Sequence, residues 1–150
     1  MLIFLSKHFW KSFLTRTFWL EDETGQRVAE IKTRTLTGVP VAFAAGGVKY
    51  VVSQRQFRGP LILEHDGVEV ARADGRDYGR EYAIIRSGAE YALKQSSGRK
   101  CTLSLGSHEI GSVAPLWWFS RRARVDLPDD MDIASKAFVA WLALLLREGG

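Results

Sequence analysis

Residues 137–146 read Ala-Phe-Val-Ala-Trp-Leu-Ala-Leu-Leu-Leu, a run of ten apolar residues made mostly of strong helix formers. Three acidic residues and a proline precede the run and suit the positive end of a helix dipole: Asp129, Asp130, Asp132 and Pro128. Arg147 and Gly149 follow it and suit a helix exit. These signals predict a helix over about residues 133–147.

This helix is apolar on every face, so it must be surrounded by protein or by lipid. A helix that spans a membrane needs about 20 apolar residues. The run here has ten, roughly half that length. We therefore expect no transmembrane span, and we expect the helix to be buried inside a β barrel.

Upstream of the helix, a hairpin unit recurs about every twenty residues. Each copy has an alternating apolar run, a glycine turn and a second alternating run, because glycine accepts the positive φ of a tight turn. The five turns contain Gly25, Gly47, Gly67, Gly88 and Gly106. Five hairpins predict an antiparallel meander, and evenly spaced turns serve a sandwich as well as a barrel.

Three returning strands carry an alanine four residues after the glycine: Ala29, Ala71 and Ala92. A small residue at one place in each returning strand lets a bulky element approach the same face of the sheet. The alanines therefore favour a barrel that encloses the C-terminal helix.

The length of 150 residues suits a single domain over residues 1–150. A lone cysteine, Cys101, forms no internal disulfide and no thiolate metal site. The apolar run 1–5 is short and has no preceding basic residue, so we expect no signal peptide. Because a single cysteine requires no oxidising compartment, we expect a cytoplasmic protein. The net charge of +4 is modest and argues against a dedicated nucleic-acid binder.

The last part of the chain carries a family resemblance. Residues 118–127, Trp-Phe-Ser-Arg-Arg-Ala-Arg-Val-Asp-Leu, resemble the aromatic-Ser-basic strand of LURP-one-related proteins. Residues 127–133, Leu-Pro-Asp-Asp-Met-Asp-Ile, followed by Lys-Ala-Phe at 136–138, resemble the acidic turn and final helix of phospholipid scramblases. With the glycine-turned hairpins, the chain resembles the tubby C-terminal-like superfamily, which contains both groups and tubby itself.

The resemblance implies a closed antiparallel β barrel of about twelve strands around the hydrophobic helix. The hairpins agree, because five of them give ten strands, with one more before Trp19 and one at residues 122–127. The chain lacks the proline-rich N-terminal extension and the lipidated cysteine cluster of animal scramblases, so a stable membrane anchor is not implied. No residue matches tubby's phosphoinositide site, and that site is not transferred.

Aromatic and basic residues adjoin at residues 117–124, as they do where proteins meet anionic lipid or a nucleic-acid strand. A weaker cluster surrounds Phe9 and Trp10. The candidate lipid-binding residues are Arg121, Arg122, Arg124, Trp117, Lys7 and Lys11. The alternative is an ordinary barrel strand in which the arginines are solvated and Trp118 packs inward.

The acidic residues, the histidines and the cysteine are weaker candidates for a metal site or a catalytic site. Clustered carboxylates suit calcium, but Asp126, Asp129, Asp130 and Asp132 form no EF-hand loop, and helix capping is the simpler explanation. His8, His65 and His108 are scattered, and Cys101 has no histidine near it in sequence. We therefore predict no catalytic site, no metal and no cofactor.

Two hypotheses follow. In the first, the chain is a non-enzymatic, scramblase-like binding module that associates with anionic phospholipid and lies peripherally at a membrane. In the second, it is a regulatory or protein-interaction barrel with no lipid role.

Overall fold

The computed structural model describes residues 2–8, 15–34, 39–56, 58–96, 99–115 and 122–149. In these ranges twelve strands precede one α-helix, α1 (Ile133–Gly149), and a 3₁₀ turn at Asp77–Gly79 separates the seventh and eighth strands. The strands are β1 (Leu2–His8), β2 (Thr15–Glu21), β3 (Arg27–Arg34), β4 (Pro40–Ala45), β5 (Val48–Ser53), β6 (Leu61–His65), β7 (Val68–Arg76), β8 (Glu81–Arg86), β9 (Ala89–Gln95), β10 (Cys101–Leu105), β11 (His108–Pro115) and β12 (Ala123–Asp126).

The strands form one antiparallel sheet in which consecutive strands are neighbours. The first strand also reaches the last one: Phe4 of β1 pairs with Leu20 of β2 and with Ala123 of β12. The predicted mainly antiparallel β architecture with a C-terminal helix is confirmed.

The five predicted hairpins are also confirmed, as β2–β3, β4–β5, β6–β7, β8–β9 and β10–β11. Two consecutive residues with positive φ close the tightest of them, including Asp66 (50°) with Gly67 (79°) and Ser87 (51°) with Gly88 (75°). This is the type I′ turn, whose twist matches that of the flanking strands.

Helix α1 forms the centre of the core, and its predicted burial is confirmed. From Ala137 to Ala143 all seven residues are at most 1% exposed, which spans nearly two turns and leaves no face open to solvent. The rings of Phe138 and Trp141 stack at 6.1 Å between centroids. None of the helical segments that the structure describes combines the length and hydrophobicity needed to traverse a bilayer.

The three alanines do not all face the helix. In β2–β3 and β6–β7, one extra residue, Val28 or Val70, bulges just before the alanine. This shift turns Ala29 (6% exposed) and Ala71 (1% exposed) into the core.

The β8–β9 hairpin has no such bulge in its pairing. Leu93 therefore enters the core, and the alternation of side chains leaves Ala92 on the outer face. The prediction that Ala92 makes room for the helix is wrong, because a one-residue bulge decides which face a residue takes.

The beginning of α1 is fixed to the β8–β9 hairpin. Asp132 is the N-cap: its carboxylate accepts a 2.6 Å hydrogen bond from the Ser135 hydroxyl and a 3.3 Å bond from the Ser135 backbone N–H. Arg86, at the end of β8, donates to Ser135 Oγ at 3.1 Å and to Asp132 Oδ1 at 3.3 Å. One arginine thus ties the helix entrance to a strand far away in sequence.

Candidate functional site

The sheet presents part of the predicted basic strand on its outer surface. Arg124 lies in β12 between Ala123 and Val125, which are 2% and 1% exposed, so its exposed side chain points outward. Arg122 is also exposed and directly precedes β12. The outward arginine is consistent with lipid contact and with simple solvation alike.

Lys7 lies on the neighbouring strand, but not beside Arg124. Arg124 pairs with Ile3, whereas Lys7 pairs with Thr17 on the other side of β1. Ile3 and Lys7 are four positions apart, which is about 13 Å along a strand. The other three predicted lipid-binding residues lie outside the described residues: Trp117, Arg121 and Lys11.

The acidic set does not form a metal site. Within the described ranges no three carboxylate, imidazole or thiol groups lie close enough to hold an ion. Burial works to raise the pKa of Asp132, but the hydrogen bonds from Ser135 and the charge of Arg86 outweigh it and hold this pKa below its usual value. Asp132 therefore serves as an ionised helix cap.

Cys101 and His65 take structural positions. Cys101 is fully buried, its Sγ lies 3.6 Å from the carbonyl oxygen of Ala143, and burial raises its pKa to about 11, so it is a neutral thiol at physiological pH. His65 ends β6, with Nδ1 at 3.2 Å from the carbonyl oxygen of Lys49 and its ring against Tyr50. Nε2 of His65 lies 3.4 Å from Oδ2 of Asp66 in the exposed β6–β7 turn.

Ion pairing divides the strand cations into two groups. In β7 to β9 every lysine and arginine has a carboxylate within 4.0 Å: Arg72–Glu69 at 2.7 Å, Arg76–Glu90 at 3.0 Å, Arg86–Asp132 at 3.3 Å and Lys94–Glu81 at 3.9 Å. In β3, Lys32 pairs with Glu30 at 3.6 Å, whereas three other cations of β3, β5 and β12 have no carboxylate at that distance among the residues that the structure describes: Arg27, Lys49 and Arg124. Arg27 instead stacks over Trp19 at 4.1 Å from the ring centroid.

A shallow groove of about 360 Å³ runs along the outer face of β4. We call it the β4 groove. Its floor is formed by Ala42 and Ala44, while longer side chains rise from β3 and β5 on either side. The lining residues are Glu30, Lys32, Val41, Ala42, Phe43, Ala44, Lys49, Tyr50 and Val51.

The register explains the groove. Lys32 of β3 pairs with Ala42, and Ala44 pairs with Lys49 of β5, so the two lysines stand diagonally across the alanine floor. Between Pro40 and Ala42 the pairing with β3 skips Val41, which is therefore a bulge residue.

Two of the most exposed large apolar residues meet at this groove. Val41 is 57% exposed and Val51 is 62% exposed. Lys32 forms a 3.6 Å ion pair with Glu30, whereas Lys49 has no carboxylate partner among the described side chains. The β4 groove therefore combines exposed apolar surface with an excess of positive charge.

Comparisons with protein-family models, curated proteins and solved structures find no match for this chain. The function is therefore inferred from the site itself.

Sequence reasoning missed the residues of the β4 groove. Lys32 and Lys49 lie 17 positions apart, and only the strand register shows that they flank one floor. A partial signal was present in Pro40–Ala45, where small residues occupy both faces of the strand. A single bulged valine, however, prevents the faces from being assigned by simple alternation.

Proposed function

We propose that this chain is a non-enzymatic binding module that associates with anionic phospholipid surfaces. In this proposal the sheet is a closed barrel of twelve strands around α1, as the resemblance to the tubby C-terminal-like superfamily implies. The pairing of β1 with both β2 and β12 supports the closure. The module would act as a peripheral protein at the cytoplasmic side of a membrane.

The uneven ion pairing of the strand cations carries the proposal. Each strand cation of β7 to β9 is balanced by a nearby carboxylate, and Lys32 of β3 pairs with Glu30, while Arg27, Lys49 and Arg124 on β3, β5 and β12 have no such partner within the described part of the chain. Cations without acidic partners leave a positive potential at one side of the surface. Anionic lipid attracts such a surface by roughly 1 kcal/mol per lysine or arginine.

Vesicle flotation tests the proposal with the full chain. We expect the protein to float with vesicles that contain phosphatidylserine and to stay behind with phosphatidylcholine alone. Added salt should release it, because exposed charges are screened over about 10 Å at 0.1 M ionic strength. Equal absence from both vesicle types would overturn the proposal and favour the protein-interaction module.

A matched pair of variants distinguishes the effect of a cation's position on vesicle binding from the effect of total net charge. Arg124→Glu removes an arginine that has no acidic partner among the described residues, whereas Arg76→Glu removes one that pairs with Glu90 at 3.0 Å. Both change the net charge by the same amount. If charge without a carboxylate partner attracts the membrane, Arg124→Glu should weaken flotation more than Arg76→Glu does.

A further inference from the structure

The β4 groove combines a low floor with cations on both sides. Alanines form a low floor because their side chains end at Cβ, and the register places Lys32 and Lys49 diagonally across it. Cross-strand neighbours lie about 5 Å apart, so both ammonium groups can reach an anion that rests on the alanines.

The rim of the groove adds an apolar contribution. The bulge at β4 leaves Val41 57% exposed, and Val51 on β5 is 62% exposed. Exposed aliphatic residues beside cations suit the boundary between lipid headgroups and acyl chains, where charge and apolar contact act together.

The competing occupant is a protein partner. Stable protein interfaces are centred on aromatic or arginine anchors in desolvated pockets. The longer exposed side chains of the groove are instead two valines, two lysines and Glu30, which pairs with Lys32 at 3.6 Å and leaves one net positive charge, with Tyr50 half-buried on the margin. The charge and the aliphatic rim favour lipid.

We propose that the β4 groove is the membrane-contacting site, in which the phosphate of an anionic phospholipid lies between Lys32 and Lys49 while Val41 and Val51 enter the acyl boundary. This inference rests on the proposed lipid-binding function and names where on the molecule the contact occurs. Arg124 lies four strands away, since β1, β2 and β3 separate β12 from β4. It contributes long-range attraction rather than contact.

Neutralising the two lysines tests the charged part of the site. Lys32→Gln with Lys49→Gln should weaken binding to phosphatidylserine vesicles roughly thirtyfold, given the contribution of each cation near an anionic surface. The matched control is Lys94→Gln with Lys100→Gln, which removes the same charge from two lysines that pair with Glu81 and Glu109 at 3.9 Å. That control should change binding less than threefold, as expected for charge distant from the contact.

A fluorescent label tests whether the apolar rim of the groove enters the membrane. An environment-sensitive fluorophore is attached to Val51→Cys or, as a control, to Val68→Cys. Val68 is a suitable control because it is also exposed, at 67%, but lies at the β6–β7 turn, outside the lining of the groove. The buried Cys101 stays unlabelled in the native protein. Phosphatidylserine vesicles should shift the emission to the blue at position 51 and leave position 68 unchanged.

The outcomes distinguish the two proposals. If the unmodified chain does not bind acidic vesicles, the lipid function falls and the groove falls with it. If the chain binds but the groove lysine pair and its control weaken binding equally, or position 68 shifts as much as position 51, the lipid function stands and the groove is not the contact. Circular dichroism of each variant verifies that the sheet is intact.

Discussion

Gly111 of β11 lies directly against the main chain of Asp126: a Cβ at position 111 would be 2.7 Å from the Asp126 carbonyl oxygen and 3.0 Å from a methyl group of Leu127. The obstructing atom is backbone, so it cannot move aside as a flexible side chain would. The glycine lets the chain that leaves β12 pass closely over β11 on its way to the helix.

Gly111→Ala should therefore destabilise the protein by about 2 kcal/mol or more, as overpacking in a tight core does. Gly75→Ala is the control, because a Cβ there meets only a tyrosine ring carbon at 3.9 Å, an ordinary contact. Urea unfolding monitored by tryptophan fluorescence gives both values. Equal stability of the two variants would contradict the close passage of the chain over Gly111.

Substitutions at the inward-facing Ala71 and at the outward-facing Ala92 should affect stability differently. Ala71→Leu adds bulk to a filled core and should destabilise the fold by roughly 1–3 kcal/mol. Ala92→Leu adds bulk to the outer face and should change stability by less than about 0.5 kcal/mol. Thermal unfolding of the two variants compares them directly, and a larger loss at position 92 would show that the β8–β9 register differs from the one described.

Removing the N-cap should have a pH-dependent effect. Asp132→Ala should lower the free energy of unfolding by about 1 kcal/mol at pH 7, the usual effect of losing a cap. The folded-state pKa of Asp132 lies below its usual value, so the carboxylate stabilises the fold above pH 3.8 and loses this effect as the pH falls through its folded-state pKa. The variant and the unmodified chain should therefore converge in stability at low pH.

Urea titrations at pH 7 and at pH 3 measure this difference. Asp129→Ala is the control, because Asp129 is exposed in the turn before the helix and makes no side-chain hydrogen bond among the described residues. It should leave stability nearly unchanged at both pH values. A gap for Asp132→Ala that is as large at pH 3 as at pH 7 would show that its charge is not what stabilises the helix.

Cys101 should resist alkylation until the protein unfolds. Its thiol is buried against Ala143 and its pKa is raised to about 11, so iodoacetamide at pH 8 should label it only in urea. Because the raised pKa favours the folded state below the ordinary value of 9.0, this stabilisation should be lost as the pH rises from 9 to about 11.

Cys101→Ala should be less stable than the unmodified chain at pH 7, because the larger side chain fills the core. Because the variant has no thiol at this position, it should not show the loss of stability between pH 9 and about 11 that ionisation of Cys101 causes. Mass spectrometry after timed alkylation and urea unfolding at pH 8 and pH 10.5 provide the two readings. Rapid labelling of the native protein would contradict the buried position.

The elements of the fold were predictable from local patterns, whereas their faces were not. The turn at Asp66-Gly67 and the apolar run 137–146 determine a hairpin and a buried helix through short-range chemistry. The inward position of Ala71 and the outward position of Ala92 depend on whether one valine bulges. A bulge arises from the twist and packing of the assembled sheet, so neighbouring residues alone do not reveal it.

The positions of the candidate binding residues also depend partly on strand pairing. The outward position of Arg124 follows from the alternation in β12, because Ala123 and Val125 on either side of it are buried. The approach of Lys32 and Lys49 depends on two strand registers at once, and it has no local signature. Pairings between strands therefore determine where charge gathers on this surface.

The central position of α1 has a consequence for how the protein is made. The helix follows all twelve strands along the chain, so during translation the strands leave the ribosome before the element that fills them. Until then the apolar inner faces have nothing to pack against, and such exposed surfaces aggregate. We expect the nascent chain to depend on chaperones until residues 133–149 emerge, and a chain cut before Ile133 to remain insoluble.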